Sequence, residues 1–171
     1  MQPLRCLVLV LAALAFAATA GAQALYSPPE GDFQVAFPDA PSVQVKPAHR
    51  SKDVASRHYV DQQPSRAMVV VIDDYPDGTL PTAADGGVYD RMLSTRAEND
   101  DGKLVSTRAA RLSGHPCLEG AITNGAGDLE IVRVLMIGNR IYELTYGLPG
   151  GADPAGADTA FFNSFKITKT P

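Results

Sequence analysis

The stretch from Lys103 to Gly147 leaves the chain little topological freedom. Four β-type segments, Lys103 to Leu112, His115 to Asn124, Asp128 to Ile137 and Arg140 to Gly147, follow one another with two or three residues between them. The connectors include "GAG" at 125–127 and "GN" at 138–139, residues that make tight turns. Connections this short join antiparallel neighbours, because a parallel pair needs a crossover of a dozen residues or more. The sequence therefore predicts an antiparallel meander.

Turn length also fixes register, and register brings specific side chains together. If Asn124 pairs with Asp128 across the three-residue turn, Glu119 stands opposite Arg133 and Cys117 opposite Leu135. The Gly138-Asn139 hairpin then sets Arg133 opposite Leu144 and Leu135 opposite Tyr142. Arg133 is thereby placed on an apolar face with Ile131, Leu135, Tyr142 and Leu144, where an unpaired guanidinium is costly. Glu119 is the carboxylate this geometry supplies. We read Glu119 and Arg133 as a partly buried ion pair that fixes strand register, with Arg133 as a ligand anchor for an anion in the functional version.

The same strand carries "HPCLEG" at 115–120, an imidazole, a thiol and a carboxylate within five positions. Residues two apart share a strand face, so His115, Cys117 and Glu119 point the same way. Neighbours on one face are about 6 to 7 Å apart along the strand, too far for a direct hydrogen bond. Free cysteine is also among the most buried residue types. Cys117 is expected to be a buried structural thiol, with His115 its candidate partner only if the thiol is reactive.

Upstream, "DFQVAFP" alternates Phe33, Val35 and Phe37 with smaller or polar residues and stops at Pro38, the pattern of a half-buried strand. "SVQV" between Pro41 and Pro47 predicts a short edge strand. "ASRHYVDQ" and "AMVVVIDDY" follow. The second, with four β-branched residues at 69–72, predicts a central strand covered on both faces. From Thr82 to Asp100 the period changes. Val88 and Met92, and Tyr89, Leu93 and Ala97, recur every four residues, which predicts a helix starting near Gly87 with Thr82 as a cap. "NDDG" at 99–102 ends it. A second helix is expected after "LPGGADPAGAD", with Asp153 as N-cap, Pro154 in the first turn and Ala157, Phe161 and Phe165 on one stripe. "KITK" predicts a last short strand. Helix, meander and helix around one sheet make an α+β layered domain, an antiparallel β-sheet meander packed by two main helices.

The first 24 residues read differently. Arg5, an apolar run from Cys6 to Ala18 and the Ala22-Gln23-Ala24 pattern predict a cleaved secretory signal peptide. The run is shorter than the roughly 20 residues a spanning helix needs, so no membrane span is expected after cleavage. A single α+β domain over 25–171 would then remain, exported to the periplasm or secreted. Of the two cysteines only Cys117 stays, so packing alone must hold the fold. The formal charge is −4, and loss of Arg5 makes the remainder more acidic. No run of Lys and Arg tracks a phosphate backbone, so nucleic acid is not an expected partner.

The segments "FQVAFPDAP", "LSGHPCLE", "VLMIGNRIYELTYGLP" and "AFFNSF" together resemble the Mog1/PsbP-like superfamily, within it the small exported bacterial members of unassigned activity. The resemblance spans about residues 31–169 and rests on hydrophobic spacing and turn residues. It implies a binding or assembly role. No partner-binding residue of the eukaryotic members maps onto this chain.

Other motifs fail on chemistry. His49, His58 and His115 fall on separate predicted elements, so no metal set is expected. "DDYPDG" at 73–78 offers Asp73, Asp77 and Gly78 to a calcium loop, but Tyr75 and Ala84 stand where oxygen ligands belong, and a solvated acidic turn is the reading. "GLPGGADPAG" lacks the lysine of a phosphate loop and reads as a linker. No catalytic residue and no cofactor is assigned. The chain is expected to be a non-catalytic binding or assembly module of the bacterial cell envelope, engaging an envelope protein or small ligand. The alternative is a small thiol enzyme or hydrolase using Cys117 with His115 or Glu119.

Overall fold

In the computed structural model the described residues are 24–48, 53–81, 86–152 and 156–171. The expected signal peptide, His49, the Thr82 cap, Asp153 and Pro154 lie outside them, except that Ala24, the expected cleavage point, is the first residue of a strand.

Seven strands form one antiparallel sheet in the order β3-β4-β5-β9-β8-β7-β6. They are β3 (Ser42–Lys46), β4 (Ala55–Gln63), β5 (Arg66–Asp74), β6 (Lys103–Leu112), β7 (His115–Thr123), β8 (Leu129–Ile137) and β9 (Arg140–Leu148). A three-stranded sheet, β1 (Ala24–Tyr26), β2 (Phe33–Phe37) and β10 (Lys166–Ile167), has β2 at its centre. The helices are α1 (Gly86–Asn99) and α2 (Ala157–Ser164). A single sheet was the expectation. The Phe33 strand instead belongs to a separate small sheet, whose alternating aromatics cover the larger sheet's apolar face as a lid.

The meander forms as its turns dictate. The Asn124 side-chain oxygen accepts from the Ala126 and Asp128 amides at 3.0 and 2.9 Å, and the Asn124 amide donates to the Asp128 carbonyl at 3.0 Å. That closes a three-residue turn with Gly127 at φ 85°. Glu119 consequently faces Arg133, and Arg133 faces Leu144.

Alternation along β9 sorts the core into two faces. Tyr142, Leu144 and Tyr146 point toward β2 and α2, into a cluster with Phe33, Phe37, Tyr59, Phe161, Phe162 and Phe165. Phe33 and Tyr59 meet edge-on at 5.0 Å, and Phe33 stacks on Phe165 at 5.5 Å. Each of these buried phenylalanines contributes about 1.5–3 kcal/mol. Ile141 points the other way, toward Tyr89, Leu93 and Ala97 of α1. The helix ends with Asp101 in the left-handed region (φ 51°) and the Gly102 amide reaching back to the Ala97 carbonyl at 2.8 Å.

Two expectations need correction. In β5 only Met68, Val70 and Ile72 are fully buried, whereas Val69 and Val71 are half-buried, because α1 packs over β6, β7 and β8. The second helix begins at Ala157, with Gly156 (φ 83°) as its cap and no side-chain cap bond. Phe165 is extended, just past the helix end, yet stays buried with Phe161.

Candidate functional site

The predicted ion pair is present and larger than expected. Arg133 Nε donates to Glu119 Oε2 at 2.8 Å, and its Nη1 donates to the Arg111 carbonyl at 3.0 Å. The guanidinium also lies over the Phe162 ring, 4.3 Å from its centroid. Arg108 brings a second guanidinium to the other carboxylate oxygen at 2.5 Å. Glu119 and Arg133 side chains are 6% and 9% exposed, against 68% for Arg108. One buried carboxylate thus joins β6, β7 and β8, while Arg133 reaches α2. Arg108 was absent from the expected pair, although the Ser113-Gly114 turn carried the signal: closing it with Leu112 opposite His115 puts Arg108 opposite Glu119.

The structure does not assemble a thiol centre. Cys117 is buried in the aromatic core and His115 is exposed. Burial pushes the thiol up to about 11, with Arg133 pulling down and Glu119 pushing up. A thiol protonated at neutral pH is a poor nucleophile.

Another grouping, not legible as a motif, lies on β4 and β5. Ser56 faces Asp73 in register, and its hydroxyl donates to Asp73 Oδ1 at 2.5 Å, with His58 Nε2 2.8 Å from the same hydroxyl. A hydrolytic triad needs the imidazole between serine and acid. Here the serine is in the middle. Its proton is held by the carboxylate, so His58 is placed to donate to the hydroxyl and not to activate it.

Asp73 also borders a cleft of about 590 Å³ between α1 and the sheet. Tyr75, Val88 and Met92 supply apolar surface, and Arg91, Arg96 and Glu143 supply charge. Arg96, reaching down from α1, bonds Glu143 at 2.5 Å and Glu130 at 2.8 Å, with Asp100 at 3.6 Å. Burial raises the Glu143 carboxyl above its ordinary range, with Arg96 opposing. Burial alone would lower the Arg96 pKa, but the carboxylates outweigh it and the net direction is up. Arg96 is therefore shared among three acids, and the lining carboxylates Asp73, Asp100 and Glu143 outnumber the two cations Arg91 and Arg96 by one. The sequence showed only the Arg96 and Asp100 spacing.

The "DDYPDG" run proves not to be a free solvated turn. Asp74 is bonded by Arg57 at 3.1 Å and Arg140 at 2.5 Å, and Asn139 donates to the Tyr75 carbonyl at 2.9 Å and to Asp77 at 3.3 Å. Only its Asp77-Gly78 end is exposed. Among the described residues no group of three or more His, Cys, Asp or Glu is placed to hold a metal ion, and no helix is long and apolar enough to cross a membrane.

Similarity to known proteins is confined to shape. No family model matches the chain, and no curated protein matches it in sequence. Among solved structures, cyanobacterial PsbP from Synechocystis sp. PCC 6803 superposes with a TM-score of 0.57 at 14% identity, over 88% of this chain and 95% of that one. The chain has a PsbP-like fold. Two weaker matches are a protein of unknown function and putative regulator from Pseudomonas aeruginosa (TM-score 0.44, 17% identity, 81% and 91% coverage) and a protein from Bacteroides thetaiotaomicron (0.48, 10%, 87% and 49%). At these identities a PsbP-like fold says nothing of activity, so function has to be argued from the cleft and the charges themselves.

Proposed function

We propose that this protein is an exported, non-catalytic binding module of the bacterial envelope whose ligand site is the cleft between α1 and the sheet. The carrying observation is the 590 Å³ opening that joins an apolar wall of Tyr75, Val88 and Met92 to carboxylates exceeding the available cations. Pockets of this volume, apolar with a few converging polar groups, are where small ligands bind. The negative surplus selects a compact ligand with a cationic group beside an apolar part. A buried thiol and a serine wired to a carboxylate support binding over group transfer. The apolar leader supports export, with cleavage after Ala24.

The test is an NMR titration of the processed protein with spermidine, choline and argininamide, using succinate as the anionic control. At least one cationic probe is expected to shift amides of α1, β5 and β9, and Met92→Trp, which fills the cleft, is expected to abolish the shifts. No response to any cation at millimolar concentration, or an equal response to succinate, would refute the reading. Intact mass of the exported protein checks the leader separately.

A further inference from the structure

The two ends of the seven-stranded sheet are not equivalent. At one end, β3 is five residues long and bracketed by Pro41 and Pro47, which limits what can add to it. At the other, β6 runs for ten residues without a proline and is exposed along most of its length. An edge strand carries a row of main-chain donors and acceptors that its one neighbour leaves unpaired. Arg133 already takes the Arg111 carbonyl. The stretch from Ser106 to Ala110 remains.

Charge decides what such an edge accepts. β6 holds Lys103, Arg108 and Arg111 and no acidic residue, in a chain whose net charge is −4. Glu119 beneath it answers to two guanidiniums at once, and Asp158 of α2 shares a small groove with Arg108 and Glu119. At the hairpin end the edge runs into a basin of about 510 Å³, lined by Arg111, Lys166, Ser113 and Asn163 over Phe162 and Phe165, with no carboxylate in its wall. Val105, 64% exposed at a register shift, adds an apolar foothold at the opposite end. Positive charges on an edge also repel a second copy of the same strand. Self-pairing is thereby disfavoured while an oppositely charged strand is drawn in.

We propose that the outer edge of β6 docks an extended acidic segment of a partner protein as an added strand, with an apolar side chain or carboxylate of that segment seated in the Arg111 and Lys166 basin. Main-chain bonds supply the affinity and the cationic side chains the selectivity, as in other strand additions. This surface lies away from the α1 cleft and does not depend on it.

The probe is a synthetic eight-residue peptide alternating Glu with Val and Thr, titrated into ¹⁵N-labelled protein, with a Lys-for-Glu peptide as control. The acidic peptide is expected to shift the amides of residues 104–111, to weaken several-fold as salt is raised, and to lose at least about fivefold in affinity in Arg111→Glu and in Lys166→Glu, a loss of about 1 kcal/mol. Both substituted side chains are solvent-facing, and an unchanged spectrum outside the contact region checks that each variant folds. Equal binding of the lysine peptide, shifts confined to α1, or full affinity in both variants would overturn the proposal.

Discussion

Removing Glu119 is the sharpest test of how this domain is held together. In Glu119→Leu the Arg133 guanidinium stays where it is, its side chain 9% exposed, and keeps only the Arg111 carbonyl and the Phe162 ring. Breaking a buried pair from one side costs about 3–5 kcal/mol, because a charge is left without its partner. The two remaining contacts put this site at the lower end, about 3 kcal/mol. Arg108 loses a partner too, but at 68% exposure it is rehydrated, so Arg108→Ala alone should cost under about 1 kcal/mol. The double variant Glu119→Leu with Arg133→Met removes both charges and should recover most of the loss, since hydrophobic replacement of a buried pair is often neutral or better. Urea unfolding with constant m-values measures all four proteins. A single-variant loss below about 1 kcal/mol, or a double variant no better than Glu119→Leu, would refute the claim that the pair is dry and mutually dependent.

Three further outcomes follow from the geometry. A methyl group at Gly102 would fall well inside contact distance of the Thr123 carbonyl, whereas at Gly120 it meets the ends of the Leu93 and Leu104 side chains at 2.9 and 3.1 Å. Gly102→Ala should therefore lower the melting temperature clearly more than Gly120→Ala, whose overpacking cost is about 1–3 kcal/mol; the reverse order would contradict the packing. Burial holds the Cys117 thiol protonated up to about pH 11 instead of the ordinary 9, so its stabilising contribution is complete below pH 9 and fades as pH rises toward 11. Wild type should lose stability relative to Cys117→Ala across that window, and iodoacetamide should react slowly with the native thiol at pH 8; alkylation as fast as a free thiol would argue against burial. Tyr89→Phe strips the acceptor from the Met136 amide, which sits 3.1 Å from the tyrosine oxygen, and should cost about 1 kcal/mol by urea unfolding, with faster hydrogen exchange at Met136.

What could be read from the sequence follows the range of the interactions. The β7 to β9 meander was legible because its turns are local: Asn124 closes its own loop, and the register of Glu119 and Arg133 follows by counting. Helix α1 was legible because Tyr89, Leu93 and Ala97 repeat along one face. The small sheet was not, since β2 pairs with β10 at the far end of the chain and its alternation looks the same whichever sheet it joins. The entry to α2 rests on Gly156 in the left-handed region, a conformation that no local sequence pattern announced. The cleft escaped altogether. Arg96 meets Glu130 and Glu143 across gaps of 34 and 47 residues, and no local pattern announces such a meeting.

The two arginine networks have a common logic that bears on how the layers stay in place. Without a disulfide among the described residues, the small sheet and α2 rest on the large sheet through aromatic packing, which is strong but weak in direction. Directional groups sit at two separate places in that interface. On one side Asp32, just before β2, receives Arg57 at 2.8 Å and Arg140 at 3.2 Å, while its carbonyl accepts the Thr168 amide at 3.0 Å. On the other, Arg133 rises from β8 between Glu119 and the Phe162 ring of α2. Buried charges are a poor source of net stability, but each misplacement of the lid by one residue would strand a guanidinium against phenylalanine. The apolar cluster therefore sets how tightly the lid is held, and the arginines set where. That division leaves the opposite face, with α1 and its cleft, without a share in fixing the lid, and that is the surface on which the proposed ligand is placed, whereas the proposed partner strand meets the β6 edge beside the Arg133 network.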